Sequence, residues 1–194
     1  MGQDFANFIV AYDFSETADA AADRAINAAL RAGTHLLHFV AAIDPNKGMG
    51  FDDSDPIDYQ YAEKIQERLT EAITARLKAI EPDGEIEFFV HARFGEPAQQ
   101  ILQAAEELGA DLIFMGSHGR TGIKRMLIGS VSEKVVREAQ CPVMVVRQKG
   151  YPDVELEKVV AVKPDDGSKG YVAPHRYSYR NAMVQRRPDA WPLN

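Results

Sequence analysis

Cysteine is almost missing from these 194 residues: Cys141 stands alone. No disulfide can form within the chain, which fits a reducing compartment. No apolar run approaches the roughly 18–20 residues a bilayer needs, so a membrane-spanning helix is excluded. Met1-Gly2-Gln3-Asp4 lacks the basic start of a secretory leader, and the expected location is the cytoplasm. The five histidines (His35, His38, His91, His118 and His175) show no metal-ligand spacing, which argues against a structural metal. His38 reads as a packed strand residue. Cys141, with no basic neighbour to lower its pKa, reads as a small core residue. There is no Gly-x-Ser-x-Gly elbow, so Ser117 and Ser132 are not hydrolase nucleophiles.

What is plentiful is apolar: 45% of the chain is hydrophobic against 26% charged, enough for a sizeable core. Charge is uneven. Residues 1–150 carry 15 Lys and Arg against 23 Asp and Glu, while residues 151–194 carry 7 against 6. An acidic body repels phosphate beyond the reach of a local pocket, so nucleic acid is an unfavourable main partner.

The apolar segments alternate between short runs and helical periods. Phe8–Tyr12, Leu36–Ile43, Glu85–Val90, Leu112–Met115 and Pro142–Val146 read as strands. Between them run amphipathic helices with apolar stripes such as Ala18, Ala22, Ala25, Ile26 and Ala29, the first capped by Ser15. Four strand-helix units closed by a strand predict an α/β fold with a five-stranded parallel sheet, doubly wound, in the order 3-2-1-4-5. The nucleotide-binding-type domain is expected over residues 1–148. The extension, 149–194, is expected to hold a strand at 156–162 and a basic, aromatic tail.

In such sheets the ligand crevice opens at the carboxyl ends of the strands, where strand order reverses. Asp13 falls there, as does the loop from Gly116 to Ser130 after the fourth strand. That loop holds four glycines, the basic residues Arg120, Lys124 and Arg125, and His118, and it ends at a helix start. Glycines admit an anion close to backbone amides, and the helix terminus adds donors and a favourable dipole. A phosphate site is the reading. It is not a Walker A loop, since no Gly-x-x-x-x-Gly-Lys-Ser/Thr fits. His118 is either a solvated loop residue, the preferred reading, or a phosphate donor. Asp13 alone would be a helix cap or Asx turn; beside the loop it becomes a ligand-binding candidate.

Gly116, Gly119, Gly129 and Ser130 stand at the spacing Gly, two residues, Gly, nine residues, Gly-Ser/Thr. Together with Asp13-Phe14-Ser15-Glu16-Thr17-Ala18, Leu37-His38-Phe39 and Cys141-Pro142-Val143, they make residues 5–147 resemble the universal stress protein family in its ATP-binding branch. The resemblance implies ATP, or AMP or ADP, with Mg2+. Asp13 would hold the ribose hydroxyls or the magnesium. Ala11, Tyr12 and the backbone near Phe39 would meet the adenine, and Met115 and Gly116 the ribose side. Gly119, Gly129, Ser130, Val131 and Ser132 would surround the phosphates, with His118 and Arg120 beside them. Position 12 is commonly small in the family, so Tyr12 is expected to narrow or reshape the pocket.

The function this implies is a nucleotide-dependent regulatory switch in a stress response. Any ATP hydrolysis would be weak, because no base is placed to orient water. The rival reading is a dimeric scaffold whose tail docks on another protein or subunit, with nucleotide structural or absent. The resemblance favours a homodimer through strand 143–146, with higher oligomers open. A flavodoxin-like redox protein shares the fold order, but its phosphate loop belongs after the first strand, where only Asp13-Phe14-Ser15 is found.

Overall fold

A computed structural model of the chain describes residues 6–32, 35–51, 55–81, 86–119, 128–147, 176–180 and 183–187. The chain divides into two units, residues 1–148 and 149–194. In the first unit the order is β1 (Ala6–Ala11), α1 (Glu16–Ala32), β2 (His35–Ile43), α2 (Tyr59–Ile80), β3 (Glu87–Phe94), α3 (Pro97–Glu107), β4 (Leu112–Gly116), α4 (Ser130–Glu138) and β5 (Val143–Val146). The strands form one sheet in the order β3-β2-β1-β4-β5, and every pairing is parallel. This is the sheet that the strand-helix alternation predicts.

The period-two alternation of the strands sorts the core onto two faces. Val10, Leu37, Phe39 and Phe114 pack with Ala22 and Ile26 of α1 and Ile65 and Leu69 of α2. Ile9, Ala11, Val40, Ile113 and Met115 pack with Ile101 and Ala104 of α3 and Val135 of α4. Both sheet faces are therefore covered, which is why the central strands read as continuous apolar runs. The helix starts are local chemistry. Asp58 accepts from the N–H groups of Gln60 and Tyr61 at the head of α2. Glu96 does the same for Ala98 and Gln99 at the head of α3, with Pro97 in the first turn.

β3 runs four residues beyond the predicted end, to Phe94, in register Val40↔His91 through Ile43↔Phe94. His91 and Arg93 interrupt the apolar run, so pattern alone stops at Val90; pairing with the long β2 carries the strand on.

In the second unit, β6 (Arg176–Arg180) and β7 (Met183–Arg187) form an antiparallel pair in which Arg176 stands opposite Arg187 and Tyr177 opposite Arg186. The basic, aromatic stretch thus contains a two-stranded sheet where the sequence suggests only a tail. The strand expected at 156–162 lies outside the described residues. Among the described residues no helix is long and apolar enough to cross a membrane.

Candidate functional site

β1 ends at the middle of the sheet, beside both β2 and β4. The Tyr12 N–H still donates to the Val40 carbonyl at 2.9 Å, and then the chain turns. Phe14 has φ of 63°, the one positive φ among the described non-glycine residues. The Ser15 N–H donates to Asp13 Oδ1 at 3.1 Å, and Ser15 Oγ accepts from the Ala18 N–H at 3.2 Å. Ser15 therefore caps α1, as the sequence predicts. A left-handed backbone costs a residue with a side chain roughly 1–2 kcal/mol. The Phe14 ring offsets this by near-perpendicular contacts with Tyr12 (centroids 5.1 Å apart) and Phe51 (5.3 Å), each worth about 0.5–1.5 kcal/mol beyond burial.

β4 delivers the second half of the site. A Cβ on Gly116 would stand 2.8 Å from the Thr17 carbonyl carbon and 2.9 Å from the Ala18 nitrogen, so no side chain fits between β4 and α1. A Cβ on Gly119 would stand 2.8 Å from Asp13 Oδ2. The Asp13 carboxylate thus faces bare backbone of the glycine loop. Thr17 ties the two halves, its hydroxyl donating to the His118 carbonyl. Ser117 Oγ and His118 Nδ1 are 3.0 Å apart.

The loop returns to the sheet at Gly129, whose N–H donates to the Ser117 carbonyl at 2.7 Å, and α4 starts at once. Its first intrahelical bond runs from the Glu133 N–H to the Gly129 carbonyl, so the helix supplies no carbonyl to the N–H groups of Ser130, Val131 and Ser132. Gly129 has no side chain with which to cap them. Ser132, 4% exposed, donates its hydroxyl to the Gly116 carbonyl at 2.8 Å and holds the helix start against the end of β4.

Between these parts lies a cavity of about 420 Å³, within the roughly 300–1,000 Å³ usual for small-molecule sites. Its lining combines the apolar residues Val40, Ala42, Pro97 and Ile101 with Asp13, His118, Gly119, Gly129 and Ser130. An apolar slot that opens onto backbone donors and a helix N-terminus suits a flat ring joined to an anionic tail.

The universal stress protein family model matches residues 5–147. The chain belongs to the universal stress protein family. A universal stress protein of Methanocaldococcus jannaschii is 31% identical over 145 residues, covering 74% of this chain and 83% of that protein. A solved structure of a second protein from the same archaeon, described as hypothetical, superposes with a TM-score of 0.60 at 28% identity, over 76% of this chain and 99% of its own. A universal stress protein from Archaeoglobus fulgidus, solved in complex with dAMP, has the same fold: TM-score 0.51, 22% identity, 75% of this chain and all of that one.

Within this universal stress protein the expected residues Ala11, Tyr12, Asp13, Met115, Gly116, His118, Gly119, Gly129, Ser130, Val131 and Ser132 all line the cavity. At Phe39 the expectation concerned the nearby backbone: the Phe39 side chain is buried on the α1 and α2 face, and the next residue, Val40, lines the cavity. His118, read as a solvated loop residue in preference to a phosphate donor, is half-buried at the cavity wall. Arg120, Lys124 and Arg125 lie outside the described residues. Val40, Ala42, Pro97 and Ile101 were not foreseen in the sequence. Strand alternation from Phe39 would have pointed to Val40, and the first turn of α3 to Pro97 and Ile101.

Tyr12, expected to narrow or reshape the pocket, is among the lining residues. It shares a sheet face with Phe8 and Val10, so its ring packs in the α1 and α2 core. There its hydroxyl donates to Asp19, which also takes Arg76 Nη2 at 2.6 Å, while Arg76 Nη1 reaches Asp23 at 2.6 Å. Burial, then the bond to Asp19, pushes the Tyr12 phenol up to about 12. Position 12 thus accommodates a large residue by building a polar clamp between α1 and α2.

Proposed function

We propose that this universal stress protein binds an adenine nucleotide, ATP with Mg2+, in the cavity between β1, β2 and β4, and acts as a nucleotide-dependent switch in a stress response. The observation that carries the reading is the juxtaposition of Asp13, the backbone of Gly119 that its carboxylate faces, and the α4 N-terminus around one largely apolar cavity. The dAMP complex of the Archaeoglobus fulgidus relative supports the choice of adenine. Magnesium takes one or two carboxylates plus phosphate oxygens and water. Asp13 offers one such carboxylate, facing the loop where the phosphates would lie, so the donor set fits. When bound, the ion neutralises phosphate charge. Asp13 would hold the ion, and the backbone N–H groups at the start of α4 would hold the phosphates. Hydrolysis on this reading is weak, and His118 Nδ1 stands 3.0 Å from the Ser117 hydroxyl at the cavity wall.

The test is direct. Protein purified without added ligand is denatured and its released nucleotides are identified by chromatography and mass. ATP, ADP or AMP approaching one per chain, or tight Mg-ATP binding to emptied protein by calorimetry, is the expected result; neither appearing overturns the reading.

A dimeric scaffold is the second reading, favoured by the far edge of the sheet. β5 is an edge strand on which Met144 is 43% exposed, and Val136 of the adjacent α4 is 48% exposed. Pairing of two such edges would remove an aggregation hazard. Sedimentation of Met144→Lys against the native protein tests it, with loss of the dimer expected.

A further inference from the structure

We infer that Phe14 is a positioning residue that sets the direction of the Asp13 carboxylate, and that Phe51 holds Phe14 in place, so that the segment after β2 takes part in ligand binding without touching the ligand. The inference rests on the nucleotide reading only for its binding readout.

The geometry of the turn carries it. Between the Tyr12 N–H, still paired with β2, and the Ser15 cap of α1 stand only Asp13 and Phe14. The left-handed backbone of Phe14 folds the chain back so that the Ser15 N–H reaches Asp13 Oδ1. With Oδ1 fixed, Oδ2 is the oxygen turned to Gly119. A change of φ at Phe14 to the ordinary negative range moves the Ser15 N–H away and releases the carboxylate.

What keeps Phe14 there is its packing against the α1 and α2 core. Its ring meets Tyr12 and Phe51 nearly edge-on, and the Arg68 guanidinium of α2 lies 4.6 Å over the Phe51 ring. The segment that carries Phe51 is tied to α2 a second time, by the bond from the Met49 N–H to the Tyr61 hydroxyl at 2.9 Å. None of Phe14, Phe51 and Arg68 lines the cavity. On this inference their influence on binding passes through Asp13, and a double-mutant cycle separates that route from one through Tyr12, which touches Phe14 and lines the cavity.

Mg-ATP affinity is measured by calorimetry for Phe14→Ala and Phe51→Ala, each with Asp13 native and with Asp13→Ala. The expected losses are about fivefold or more with Asp13 present and under about twofold without it, a coupling of the size found between contacting residues. Phe14→Gly, which adopts positive φ without strain, retains more affinity than Phe14→Ala. Equal losses in both backgrounds, or alanine binding as well as glycine, overturn the inference. Phe51→Leu substitutes if Phe51→Ala does not fold. A ligand-free readout separates this from the nucleotide reading: in the folded Phe51 variant, the backbone amide resonances of Ser15 and Gly119 shift. If the native protein binds no ATP, the nucleotide reading fails, and those resonances alone decide: unmoved, they overturn the positioning role.

Discussion

His38 Nδ1 and His91 Nε2 stand 3.1 Å apart across β2 and β3, with the Phe89 ring stacked on His38 at 5.0 Å. Burial lowers the pKa of His38. Burial first, then the neighbouring His38 and Arg93, lowers that of His91, against a smaller opposing pull from Glu107. Both are lowered from an ordinary 6.5. The folded pair therefore resists protons that the unfolded chain accepts. Its contribution to stability is whole above pH 6.5 and is lost as pH falls from there through the folded values. Glu96 works in a different window. Burial raises its pKa, but Lys134 and the α3 N–H groups outweigh that and hold it below 4.5. Urea denaturation between pH 4.5 and 6.5 should show stability falling for the native protein and a flatter profile for His38→Gln/His91→Gln.

Gly119→Val should weaken nucleotide binding by about tenfold or more, with little loss of stability. The added carbons fall on the Asp13 carboxylate at an exposed position. Gly116→Ala should differ, since its Cβ meets the backbone of α1. Overpacking of this kind costs about 1–3 kcal/mol. Calorimetry and thermal melts on the two variants separate the effects; equal destabilisation by both would contradict the geometry.

Tyr12→Phe keeps the ring and removes the hydroxyl that donates to Asp19. The expected cost is about 0.5–1.5 kcal/mol of stability, the worth of one internal hydrogen bond, with Mg-ATP affinity unchanged. Urea denaturation paired with calorimetry checks both halves.

Asp13→Asn should remove the magnesium dependence of binding. The expected result is tighter ATP binding by the native protein with Mg2+ than with a chelator, and the same, weaker affinity in both for the variant. A variant that keeps its response to Mg2+ would place the ion on another residue.

The order of the sheet was legible because the central strands are buried on both faces: Ile113, Phe114 and Met115 are all buried, and such a run has few alternatives. That Asp13 and the glycines meet at the strand ends was legible for a related reason. Asp13 and the glycines answer to backbone geometry and charge, which leave marks in a sequence. The apolar lining was not. Val40, Ala42, Pro97 and Ile101 look like core in composition, and only the sheet's pleat decides that they border a cavity. Tyr12 is a further lesson: counting by twos from Phe8 places its ring in the α1 and α2 core, where its hydroxyl meets Asp19. Phe14 left no mark at all, since its role resides in a backbone angle.

The bond from Thr17 to the carbonyl of His118 joins residues 101 positions apart. Asp13 comes from the first part of the chain and the glycine loop from the last part of the domain. A cut between α2 and β3 would give two fragments, each holding half of a binding site and neither able to bind alone. Ligand would then act as the adhesive between the fragments. In the uncut chain the same arrangement makes occupancy a report that the two ends of the domain have met, so that ligand selects the completed molecule over any partly assembled one.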